Sequence, residues 1–169
     1  VSRGLGDVYK RQSRDGEGRY LGHNGGETRN VHDQLHQIWR GMADEGLISE
    51  EQYRKGTVLN FYKSPEEFMA PLKDTASAPY RNGLRLVDER TVYVKCPYRR
   101  RWNEDGDTAS FAAGLMATIR SWSRHSFASV AGDALADQVY ARLEQRIADA
   151  PSEWSLDYVE HHQMMEKVA

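Results

Sequence analysis

The chain has 169 residues, 39% hydrophobic and 28% charged, with a formal net charge of −2. That length fits one ordinary domain or a piece of a larger one, and no apolar run approaches the roughly 18 residues of a membrane-spanning helix. The near-balanced charge gives no global reason to bind nucleic acid, and a lone cysteine, Cys96, excludes an internal disulfide framework and a multi-cysteine zinc site.

In chain order, Val1 to Gln12 has neither the apolar core nor the small-residue cleavage pattern of a secretory signal. Its glycines and charges follow no helical or strand period. It resembles a translated adapter tract or a disordered leader, so residues 1–18 are expected outside the fold. Gly22 to Arg29, with Gly25 and Gly26, reads as a loop. Val31, Leu35, Ile38, Trp39 and Met42 then recur at helical spacing and predict a one-sided helix stopped by Gly46. Ser49 with Gln52, and Ser64 with Pro65 and Glu67, carry capping-box signals for two short helices. The second is expected to be interrupted by Pro71 and Pro79.

After Asn82-Gly83 the period changes to alternation at Leu84 and Leu86, and again at Val92, Val94 and Cys96. This predicts one long bent strand or two short ones ending at Pro97. Tyr98 to Asp107 is expected to be a polar connection. Helices are predicted from Thr108 to about Ala128 and from Gly132-Asp133 to Ala150, the latter with Leu135, Val139, Leu143 and Ile147 on one face. Tyr158 to Val168 is the final predicted strand. Two strands among so many helices cannot form a sheet with both faces buried, which suggests the back half of an α/β protein whose first strands precede residue 1.

Few local motifs carry chemistry. Arg99-Arg100-Arg101 between Tyr98 and Trp102 could make a nucleic-acid contact, but without a basic stripe elsewhere it fits better a solvated loop whose arginines offset Glu104, Asp105 and Asp107. His161 and His162 on a strand point to opposite faces. His32 and His36 have chelating helical spacing without the zincin glutamate or an obvious third ligand. Cys96 fits a packed strand cysteine. No G-x-S-x-G elbow, Walker loop or G-x-G-x-x-G fingerprint occurs. Trp39, Phe61, Tyr62, Trp122 and Phe127 suit either core packing or the walls of a pocket.

The tract Ile38 to Tyr53, with Met42 and Glu45-Gly46-Leu47-Ile48, followed by Asn60-Phe61-Tyr62 and Ser64-Pro65-Glu66-Glu67-Phe68, resembles the plant-type SABATH carboxyl methyltransferases of the salicylic acid, jasmonic acid and theobromine type. Ile119-Arg120-Ser121-Trp122, then Gly132-Asp133 and Val139 to Arg142, and Tyr158 to Lys167 follow in the family's order. The proline of the family's N-x-P is replaced by Phe61, and its "M-R-A" by Ile119-Arg120-Ser121, as in a bacterial-type relative.

The resemblance implies an α/β fold: the C-terminal half of a Rossmann-like class I methyltransferase, with the last antiparallel strands at about 83–97 and 156–168 and helical cap segments at about 30–80 and 107–130. It implies S-adenosylmethionine as cofactor, bound by residues preceding this chain, so that the chain alone is inactive. The acceptor is a small-molecule carboxylate. Nucleic acid and membrane are not expected partners, a homodimer is allowed, and the expected location is cytoplasmic. Substrate-binding positions carry over to Val31, His32, Phe61, Tyr62, Ile119, Trp122 and Tyr158. No catalytic acid or base is required, because a carboxylate of pKa ~4 is already ionised at neutral pH and its methylation at a sulfonium carbon depends on orientation and desolvation. Two alternatives fit the same sequence: N-methylation of a heteroaromatic small molecule, and a non-enzymatic helical interaction module using the Tyr98–Trp102 segment.

Overall fold

The structure is a computed structural model that describes residues 7–20, 29–58 and 61–168. Its fold is mixed α/β, with a small antiparallel sheet and several helices, divided into two units. The loop expected over Gly22 to Arg29 lies outside the described residues except for Arg29. No helix among the described residues is long and apolar enough to cross a membrane.

The helical unit holds α1 (Val31–Asp44), α2 (Glu50–Lys55), α5 (Pro97–Asp105), α6 (Thr108–Ala131), α7 (Asp133–Asp149) and a 3-10 turn (Pro151–Glu153). Asn30 caps α1 by accepting from the backbone N–H groups of His32 (2.9 Å) and Asp33 (3.2 Å), which satisfies donors that a helix start otherwise leaves open. The predicted stripe of Val31, Leu35, Ile38, Trp39 and Met42 is buried. Gly46, at φ +74°, closes the helix in the left-handed conformation that glycine adopts without a Cβ penalty. The Ser49–Gln52 capping box forms in both directions, at 3.1 and 2.8 Å.

In α7 the buried face is Ala136, Val139, Tyr140, Leu143 and Ile147, and Leu135 is only half-buried. Tyr140 and Ser123 of α6 place their hydroxyls 2.8 Å apart in this core. Trp154, fully buried, donates from its indole to the Arg146 carbonyl at 3.2 Å.

The expected polar connection at Tyr98 to Asp107 is instead helix α5. Cys96 caps it, Pro97 occupies the first turn where no N–H is needed, and Gly106 ends it at φ +68°. Its apolar contacts come from Tyr98 and Trp102, set among charged residues. Tyr98 lies so close to Gly114 that a Cβ there would sit 2.5 Å from the ring. Trp102 faces Phe111 with ring centroids 5.6 Å apart. Arg99 is neither a solvated charge nor a free nucleic-acid contact: its guanidinium donates to the carbonyls of Pro151, Ser152 and Trp154 at 2.8–3.0 Å.

The sheet unit holds β1 (Asp7–Ser13), α3 (Pro65–Lys73), α4 (Ala78–Arg81), β2 (Leu84–Val94) and β3 (Tyr158–Lys167). The strand order is β1-β3-β2 and both pairings are antiparallel, with Arg11 and Thr91 flanking His161 in register. β1 lies inside the segment expected to stand outside the fold. It has no strand period of its own, and its order comes from the backbone of β3. β2 is the single long strand, with its register shifted between Leu86 and Asp88 by a bulge at Val87.

Ser64 and Glu67 form the predicted capping box at the start of α3. Pro71 does not interrupt this helix as expected. It sits within the last turn, and only two helical residues follow it. α3 and α4 fall in the same unit as the strands. Replacing Ser64 with alanine removes the acceptor for the Glu67 N–H and is expected to cost about 1 kcal/mol, measurable as a lower urea midpoint with an unchanged slope.

Candidate functional site

Of the residues carried over from the resemblance, the helical unit contains Val31, His32, Ile119 and Trp122. Val31 and Ile119 are completely buried in the core of this unit. His32 and Trp122 are half-buried and lie side by side, ring centroids 5.2 Å apart and tilted by 54°. α1 supplies His32 in its first turn, and α6 supplies Trp122 from the middle of its length.

A groove of about 160 Å³ runs beside His32 along α1. Its apolar wall is Leu35, Trp39, Val58 and Phe127, and its polar rim is Asp33, His36 and Thr57. Trp39 packs on Phe127 with centroids 4.9 Å apart and donates its indole N–H to the Tyr53 carbonyl at 3.1 Å. Gly56 also lines the groove: a Cβ there would sit 2.7 Å from the Trp39 ring. His36 Nε2 is 3.0 Å from the Tyr53 hydroxyl. Burial is the largest influence on His32 and holds its pKa below the ordinary value, against the opposing charge of Asp33. The imidazole is therefore neutral at neutral pH and acts as a hydrogen-bonding group.

Sequence reasoning missed Gly56, Thr57 and Val58 as groove residues. The one available signal was the glycine just past α2, which reads as a helix stop and carries no hint of the indole above it.

Phe61, Tyr62 and Tyr158 belong to the sheet unit. Phe61 is 77% exposed. Tyr62 stacks on Tyr20 with centroids 5.0 Å apart, and burial, then the proximity of Tyr20, pushes its pKa up to about 12. Tyr158 is half-buried at the start of β3.

A second cleft of about 120 Å³ lies between α5 and α6, lined by Tyr98, Arg101, Trp102 and Asp107 among others. Both clefts are smaller than the roughly 300 Å³ at which enclosed small-molecule pockets ordinarily start. Among the described residues no group of three or more His, Cys, Asp or Glu is placed to hold a metal ion. The chain matches no protein-family model and no curated protein.

Proposed function

We propose that this chain supplies the acceptor-binding part of an S-adenosylmethionine-dependent methyltransferase with a Rossmann-like core, acting on the carboxylate of a small molecule. The observation that carries the proposal is His32 on an aromatic-walled groove, its ring paired outside that groove's lining with Trp122. The resemblance assigns both residues to the acceptor. The resemblance places S-adenosylmethionine on residues preceding this chain, so only the handling of the acceptor is assigned to it. Trp39 and Phe127 would exclude water from an aromatic or aliphatic body, and His32, kept neutral by burial, would orient one polar group. Fixing that group in direction is the share of catalysis such a surface can supply.

The groove is close in size to the ~150 Å³ cavity known to hold one benzene ring, so benzoate is a suitable probe. His32→Ala and Trp122→Ala are each expected to weaken benzoate binding about tenfold by calorimetry. Affinities unchanged in both variants would remove the basis for the proposal. Asp33 on the rim favours a second reading, an acceptor that is a neutral or basic nitrogen heterocycle. Benzimidazole binding more tightly than benzoate would select it.

A further inference from the structure

The central strand β3 carries three buried polar residues in succession, His161, His162 and Gln163, where the interior of a small sheet ordinarily takes apolar side chains. His161 and Gln163 share the face on which Phe68 of α3 lies, with the Phe68 and His161 rings near-parallel at 6.0 Å. Among the described residues neither ring nitrogen of His161, nor the amide nitrogen of Gln163, has a hydrogen-bond partner. An interior with unpaired polar nitrogens is unusual enough in a folded protein to require a reason.

The charges around His161 are known from each neighbouring element. On β2, Glu89 places a carboxylate oxygen 3.5 Å from Nε2, and Thr91 stands opposite in register. α3 brings Glu66, and its Lys73 lies 4.0 Å from Glu89. Lys63, just before α3, sits 5.9 Å over the Phe68 ring. On β1 the register partner is Arg11, which is exposed. On β3 itself His162 is adjacent, its Nε2 2.7 Å from Glu160.

We propose that His161 is an acid-sensitive latch for α3: protonation of the imidazole weakens the packing of the helix on the sheet. The neutral ring is apolar enough to pack beneath Phe68. The imidazolium would reach one carboxylate, Glu89, through a lengthened contact, and its Nδ1–H would remain without an acceptor. Burial, the largest influence, opposes the charge; Glu89 and Glu66 favour it and His162 opposes it, and the net direction is a lowered pKa. A histidine that holds its proton less tightly when folded leaves stability full above the unfolded value of ~6.5 and removes it as pH falls through that value.

α3 follows directly on Phe61 and Tyr62, and the Lys63 carbonyl is held by the Ser13 hydroxyl at 2.8 Å and the Arg14 N–H at 3.1 Å. The Tyr62 segment is thus tethered separately from the face of α3 that packs on His161. The latch stands independently of methyl transfer.

The test is hydrogen exchange of the α3 amides in the full chain at pH ~7.5 and ~5.5, corrected for intrinsic rates, with α7 as reference. Protection of α3 relative to α7 should fall by more than about twofold and by at most about tenfold, the limit set by one group titrating near ~6.5 in the open state. In His161→Gln the fall should vanish; in Glu89→Gln, which removes the one carboxylate within reach, it should grow. A relative fall within twofold, or an equal fall in His161→Gln, overturns the proposal. Should His161→Gln fail to fold, the ring titration of His161 in the wild-type chain decides by nuclear magnetic resonance. A midpoint below ~6.5 supports the latch and one at or above it refutes it.

Discussion

Trp39→Ala is expected to destabilise the helical unit by about 4 kcal/mol, at the upper end for a single core truncation. Trp39 is 1% exposed, packs on Phe127, and satisfies the Tyr53 carbonyl through its indole N–H. Alanine leaves a cavity, an unpaired carbonyl and an opened floor to the groove, so three costs fall on one position. Trp39→Phe keeps most of the volume but not the donor and should lose less than half as much. Urea unfolding followed separately in each unit measures both. A loss under about 1 kcal/mol for the alanine variant would show that the indole is not part of the core.

The second large effect lies in the sheet unit. Gly83→Ala is expected to cost about 2–3 kcal/mol. Gly83 has φ +83°, a conformation that disfavours any side chain, and a Cβ there would meet the carbonyl oxygen of Val168. That contact lies beside the bond in which Val168 N–H donates to the Gly83 carbonyl at 2.8 Å. The clash is with backbone and cannot be relieved by a rotamer change. Gly83→Asn separates the two causes: asparagine tolerates positive φ better than alanine but brings the same Cβ. If the clash dominates, the asparagine variant is destabilised nearly as much. A thermal midpoint for Gly83→Ala within about 1 °C of the wild type would contradict both arguments.

What could be read from the sequence follows the range of the forces involved. The capping boxes at Ser49 and Ser64 act within four residues, and both form as expected. The stripes of α1 and α7 are likewise local patterns. Helix α5 was hidden because its apolar contacts come from two aromatics among charges, and the space for Tyr98 is made by Gly114 on another helix. β1 was hidden for the same reason in sharper form: its strand conformation is supplied by hydrogen bonds to β3, distant in the chain.

At the candidate site, the pairing of His32 with Trp122 joins helices far apart in sequence, and the two were named together only through the resemblance. Val31 and Ile119 came from the same source, and both are buried in the core. Gly56 matters only because of where the Trp39 ring lies, which no local pattern encodes. The buried polarity of His161 and Gln163 was likewise invisible, because alternation assigns a strand residue to a face without saying what covers it.

The most direct measurement of the acceptor assignment is a nuclear magnetic resonance titration of the isotope-labelled chain with benzoate, following the imidazole of His32 and the indoles of Trp39 and Trp122. The predicted result is a saturable shift at all three, which disappears together in Trp122→Ala. Shifts confined to residues of the sheet unit, or no saturable shift at His32, would contradict the assignment of the α1–α6 groove to a small-molecule carboxylate.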